Sequence, residues 1–221
     1  MITSLDSILG SGAIALDGEV GKVFNVLFDD LTWAIRHFVV ETGSWYTRRR
    51  VLISPTTVDK PDWRTRTIPV FLTKEQVQSS PDSDTAQPVS RQNQLALSRH
   101  YGWTDYLSTQ PFPSSVEIGA SNPEPEDEAE EEGDPHLRSA KEVAGYRVKA
   151  LDGNVGTVTD FLIEDTGWAI ADLVVHPETG GRNDTVLIPT VWITAVSWED
   201  QIVQLNQPSN KAIHSDFINK V

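Results

Sequence analysis

The sequence predicts a mostly β protein that contains one small antiparallel barrel or sandwich twice, with a short helix between the copies. Three observations carry this. Gly10–Ile53 overlays Gly145–Ile188 without a gap at a constant offset of 135, and 18 of the 44 positions are identical. A repeat this long denotes two copies of a domain, not a solenoid. Within each copy apolar residues alternate in short β-branched runs, and Asp-Gly, Asn-Asp and Thr-Gly steps punctuate those runs at strand-length spacing.

In the first copy Val20, Val23, Val26 and Phe28 mark one strand, and "AIRHFVV" alternates through Ile35, Phe38 and Val40. "AIADLVV" repeats the pattern with Ile170, Leu173 and Val175. Asp17-Gly18 and Asp152-Gly153 suit tight turns that need positive φ. "TIPVFL" (Thr67–Leu72) reads as a further strand, and "LTKEQVQSSP" as a helical turn stopped by Pro81. Ser90 reads as the N-cap of a helix that Gly102 ends. Asn122–Pro135 then holds eight carboxylates and three prolines with no aliphatic side chain longer than alanine. Such a segment cannot bury surface and repels itself, so it reads as an extended acidic tether. The expected division is 1–78 for the first copy, 79–117 for an inter-repeat segment with the helix, 118–137 for the linker, and 138–221 for the second copy and tail. Residues 138–221 are expected to fold alone, and the two lobes to meet about a pseudo-two-fold axis.

Composition narrows the chemistry. The chain has 221 residues, a formal charge of −14 and no cysteine. Disulfides and thiol catalysis are excluded, and a reducing, cytoplasmic setting fits. The acidity argues against direct nucleic-acid binding. No signal peptide and no membrane-inserted helix is read, though a peripheral place on a membrane complex is compatible.

No catalytic, cofactor-binding or metal-binding residue is assigned. Asp29-Asp30 and Glu164-Asp165 read as solvated turns, because adjacent strand residues face opposite ways. No two of the five histidines stand one helical turn apart on a helix. Neither a phosphate-binding loop nor a nucleophile-elbow motif occurs. Asp17, Gly18, Gly21 and Trp33, with Asp152, Gly153, Gly156 and Trp168, read as structural positions shared by both copies. Trp63 and Trp198 are equivalent as well and read as core anchors. The candidates for an interaction surface are the basic cluster Arg48, Arg49 and Arg50, and the aromatics Tyr101 and Trp103.

The pattern "LDGxVGxV", a following "WAI" and a closing "VLI" with Pro55 or Pro189 resembles the PRC-barrel domain over about two thirds of the chain. That family's barrel occurs in the photosynthetic reaction-centre H subunit and in the C-terminal domain of the ribosome maturation factor. The resemblance implies about six strands per copy and a non-catalytic role as an interaction, assembly or regulatory module. The partner would be an unidentified protein, and an oligomer is compatible. The other readings are an accessory factor for a photosynthetic or other membrane electron-transfer complex, and a small-ligand binder or enzyme using the inter-barrel cleft.

Overall fold

The computed structural model describes residues 1–43, 49–80, 136–179, 181 and 184–213. Of the interaction candidates, Arg48, Tyr101 and Trp103 lie outside these residues, as do the stretch read as the Ser90–Gly102 helix and the whole acidic segment 122–135.

The protein is mostly β, in two sheets. The first half contributes β1 (Ile2–Ser4), β2 (Gly12–Ala15), β3 (Gly18–Asp29), β4 (Ile35–Thr42), β5 (Arg49–Ile53) and β6 (Thr67–Pro69). The second contributes β7 (Leu137–Ser139), β8 (Arg147–Lys149), β9 (Asn154–Glu164), β10 (Ala169–Pro177), β11 (Val186–Pro189), β12 (Ile193–Ser197) and β13 (Ile202–Leu205). One sheet runs β5-β4-β3-β2-β6 and the other β11-β10-β9-β8-β13-β12. Two features depart from a closed antiparallel barrel. Strands β2 and β6, and likewise β8 and β13, pair in parallel. Among the described residues no pairing joins the two ends of either sheet. Each parallel pair arises because the chain leaves the far edge after β5 or β11 and crosses over to the opposite side of the sheet.

The first strand of each half belongs to the other half's sheet. Strand β1 pairs antiparallel with β9, with Ile2 opposite Glu164, Thr3 opposite Ile163 and Ser4 opposite Leu162. Strand β7 pairs with β3 in the equivalent register, with Leu137 opposite Asp29, Arg138 opposite Phe28 and Ser139 opposite Leu27. The helical turns that follow, Leu5–Ile8 and Ala140–Val143, start on serine caps. Ser4 Oγ accepts from the Ser7 N–H at 3.1 Å and Ser139 Oγ from the Glu142 N–H at 3.2 Å. These turns press Leu5 and Ile8 onto β9, and Ala140 and Val143 onto β3. Leu137, at the end of the segment read as a linker, is therefore a strand residue seated in the first lobe.

The exchange makes one core of two lobes. A single buried cluster runs from Leu5 and Ile8 through Phe28, Phe38 and Ile53 to Phe161, Ile163, Leu173 and Ile188. A smaller one, Leu27, Val39, Leu52 and Leu137, again mixes the halves. Burying one such aliphatic side chain stabilises by about 1.5–3 kcal/mol, so each arm adds several kcal/mol to the lobe it did not come from. Residues 138–221 thus share their core with the first half.

The shared glycines divide into two kinds. Gly21 and Gly156 lie beneath a neighbouring strand, where an added Cβ would collide with the carbonyl oxygens of Glu41 and His176. Gly18 has φ of 127°, whereas Gly153 at 159° is nearly extended with open space around it. The turn aspartates act beyond their own turns. Asp17 accepts from the Lys74 N–H at 2.8 Å and Asp152 from the Ser209 N–H at 2.6 Å, each tying its turn to the helix that ends its repeat. The first of these helices, Lys74–Gln78, carries a complete capping box from Thr73 and Gln76.

Two outcomes are expected. Gly21→Ala and Gly156→Ala should each lower unfolding stability by on the order of 3 kcal/mol through backbone overlap, with Gly153→Ala under about 1 kcal/mol, read from denaturant midpoints. Residues 111–221 expressed alone should not yield a monomer of native stability, whereas co-expression with residues 1–110 should give a one-to-one complex on gel filtration. A cooperative, monomeric 111–221 would contradict the shared core.

Candidate functional site

The lobes meet where each chain turns from its long strand into the next. Asp29 caps the first turn, accepting from the Leu31 and Thr32 N–H groups at 3.0 and 2.9 Å. The turn closes with Trp33 in the left-handed region at φ 60°, and Trp168 matches it at φ 48°. The backbone is thereby directed across the lobe boundary. The Ile35 N–H donates to the Trp168 carbonyl at 2.7 Å, and the Ile170 N–H to the Trp33 carbonyl at 2.9 Å. Both indoles are buried. Trp33 stacks on Phe28 with centroids 5.3 Å apart, Trp168 meets Phe38 edge-on at 4.7 Å, and Phe28 reaches Phe161 at 5.9 Å.

Asp30 and Asp165, read from the sequence as solvated turn residues, are not solvated. Their side chains are 7 % and 10 % exposed. Asp30 receives Arg138 Nε at 2.8 Å and sits 3.0 Å from His136 Nδ1. Asp165 accepts from the Met1 ammonium at 2.5 Å and from the Trp63 indole N–H at 3.1 Å. Burial pushes the Asp165 carboxyl up, but the bonds from Met1 and Trp63 outweigh it and hold the group below the usual carboxylate range. A signal for these residues was present in the sequence. Asp30/Asp165 is identical while its neighbours Asp29/Glu164, Leu31/Thr166 and Thr32/Gly167 all differ.

The two equivalent sites differ because their cations differ. On one side Trp63 docks on Asp165, and a cavity of about 490 Å³ opens beside it between Pro55, Val58, Lys60, Pro61, Trp63 and Trp168. On the other, Arg138 stands where the first copy has Thr3 and already takes the Asp30 oxygen that an indole would use. Trp198, the counterpart of Trp63, is 63 % exposed. This corrects its reading as a core anchor.

The described part of the basic cluster, Arg49 and Arg50, belongs to β5 and is likewise committed within the protein. Arg49 donates to the Gln78 and Ser80 carbonyls at 2.6 and 2.8 Å. Arg50 lies 4.0 Å from the Phe24 ring centroid, and Lys141 of the other half lies 3.9 Å from the same ring. Two cations on one aromatic ring make this a clamp between the lobes. Among the described residues no three histidine, aspartate or glutamate side chains converge as a metal site. No helix among them is long and apolar enough to cross a membrane. No family model matches the chain, and no curated protein matches it.

His37 and Asp172 occupy equivalent positions on β4 and β10. Burial and the neighbouring Arg36 lower the His37 pKa from 6.5 to about 4, while burial raises that of Asp172. For His37 the unfolded chain takes up a proton near pH 6.5 and the folded chain only near pH 4, so acid favours unfolding across that window. Asp172 responds in the opposite sense. His37→Gln should remove up to roughly 3 kcal/mol of the stability loss between pH 7 and 4, read as the difference between wild-type and variant urea midpoints at each pH. Equal slopes would show that His37 is not an acid-labile group. Separately, Trp63→Phe should cost about 1–2 kcal/mol, because Asp165 loses a buried donor. Trp198→Phe should cost almost nothing.

Proposed function

We propose that this chain is a tandem PRC-barrel-type protein that acts as a non-catalytic interaction or assembly module, each lobe being such a barrel left open along one seam. The positions that carry the family resemblance support this reading by their work in turns, caps and core: Asp17, Gly21 and Trp33, and Asp152, Gly156 and Trp168. The observation that carries it is Trp198. An indole 63 % exposed, whose equivalent in the other repeat is docked, is surface available to a partner. A cytoplasmic setting belongs to the same proposal and rests on the cysteine-free sequence.

A second reading, a small-ligand site, is favoured by the cavity between Trp63 and Trp168. Its apolar and aromatic walls, with Asp59, Lys60 and Asp165 also lining it, suit a flat and largely apolar ligand with a polar group.

Affinity capture of the tagged intact protein from its native cells separates the two. A protein retained by wild type and lost with Trp198→Ser at unchanged melting temperature supports the interaction module. A retained small molecule lost with Trp63→Ala, and no protein dependent on Trp198, would replace it by the ligand site.

A further inference from the structure

We propose that the surface through which one repeat receives the other also accepts a repeat from a second copy of this chain, with the β1 and β7 arms exchanged between molecules. This rests on the interaction-module reading and names its partner.

The backbone hydrogen bonds between the halves occur in pairs offset by 135 residues. The Asp30 N–H donates to the His136 carbonyl at 2.9 Å as the Asp165 N–H does to that of Met1 at 3.0 Å. The Asp6 N–H donates to Asp160 Oδ1 at 3.2 Å as the Lys141 N–H does to Asn25 Oδ1 at 3.2 Å. With the tryptophan-turn bonds, this is the self-complementary pattern of an isologous dimer interface, here contained in one chain. Nothing in it identifies which molecule supplies the second repeat.

The side chains decide which repeats pair. Across the pseudo-axis Phe28 and Phe161 meet, and their counterparts are Ile163 and Val26. Pairing like with like would set Val26 where Phe161 stands and Phe28 where Ile163 stands, or the reverse, and so lose the Phe28–Phe161 contact while overfilling its neighbour. The carboxylates do not discriminate, because Met1 and Trp63 of a second first repeat would offer Asp30 the donors that Asp165 already has. Reciprocal exchange, first repeat with second in both directions, keeps every native contact twice and introduces none.

The connection permits it. The 55 residues from 81 to 135 can span up to about 180 Å when extended, so connectivity alone does not compel pairing within one molecule. Proximity does bias it, because joining the two repeats in one chain makes their pairing intramolecular and gives it an effective concentration. Single molecules therefore dominate in dilute solution, and exchanged pairs form when chains fold together in concentrated solution. Release then requires peeling both arms and opening the shared core.

The cysteine-free background allows a direct test on the full chain. Ile2 and Glu164 are opposed across the exchanged strands and both are exposed. Ile2→Cys and Glu164→Cys are placed on separate full-length chains with tags of different mass, refolded together and oxidised, then diluted. The expected result is a disulfide between the two tagged chains. Its yield should rise about tenfold for each tenfold rise in refolding concentration below the effective concentration, persist after dilution, and exceed either like-with-like product. The double variant on one chain should form its internal disulfide at every concentration. If it does while the mixture stays unlinked throughout, pairing between molecules is overturned. If it does not, the arm exchange itself is overturned, and the proposal with it. Partner capture through Trp198 reads a different surface, so the interaction-module reading can fail or stand separately.

Discussion

A left-handed backbone costs a bulky L residue about 1–2 kcal/mol, yet the protein adopts it at Trp33 and again at Trp168. The turn that forces this conformation sends each tryptophan carbonyl to the other lobe's isoleucine N–H and each indole into the common core. The strain is local, whereas the return is two inter-lobe hydrogen bonds and two large buried rings. The rest follows from this reciprocal turn. It fixes the ends of β3 and β9 side by side, which leaves the outer edge of each long strand next to the other half's first residues. Strands β1 and β7 then complete the sheets they reach, not the sheets they precede.

The same symmetry explains where the protein departs from itself. Asp30 and Asp165 occupy equivalent buried positions, and a carboxylate there must be matched by a cation or donor. Asp165 draws on Met1 and Trp63, and the docked indole becomes a wall of the cavity. Asp30 draws on Arg138 and His136, and Trp198 is released to solvent. One cationic side chain, at a position that is threonine in the other copy, thus decides whether an indole is structural or exposed.

Much of the architecture was legible from the repeat alone, because turns, buried glycines and core positions tolerate little change. The offset persists where identity has vanished. Arg66 and Gln201 share φ of 53°, and Asn25 and Asp160 cap equivalent arms. The arm exchange was not legible, since a three-residue strand such as Ile2–Ser4 carries too little pattern to specify its partner. Strand direction was not legible for the same reason, and the parallel β2–β6 and β8–β13 pairs depart from the antiparallel pattern the sequence predicts. At the site, sequence equivalence was mistaken for equal environment. Trp63 and Trp198 are the same residue in the same place of a repeat, but burial depends on what Arg138 and Met1 do across the boundary.

That dependence indicates what joining two repeats in one chain makes available. In a symmetric homodimer every substitution appears twice, so a change that opens one site opens both. Here Thr3 and Arg138, Met1 and His136, and His37 and Asp172 are dyad-related positions carrying different chemistry. The backbone bonds that hold the halves together are indifferent to those changes. One face can therefore keep a cavity between two tryptophans while the other presents an indole. One outer sheet can lose stability in acid while its counterpart carries a carboxyl that takes up a proton more readily. The duplicated backbone supplies the rigidity, and the unduplicated side chains supply two unlike surfaces for whatever the protein meets.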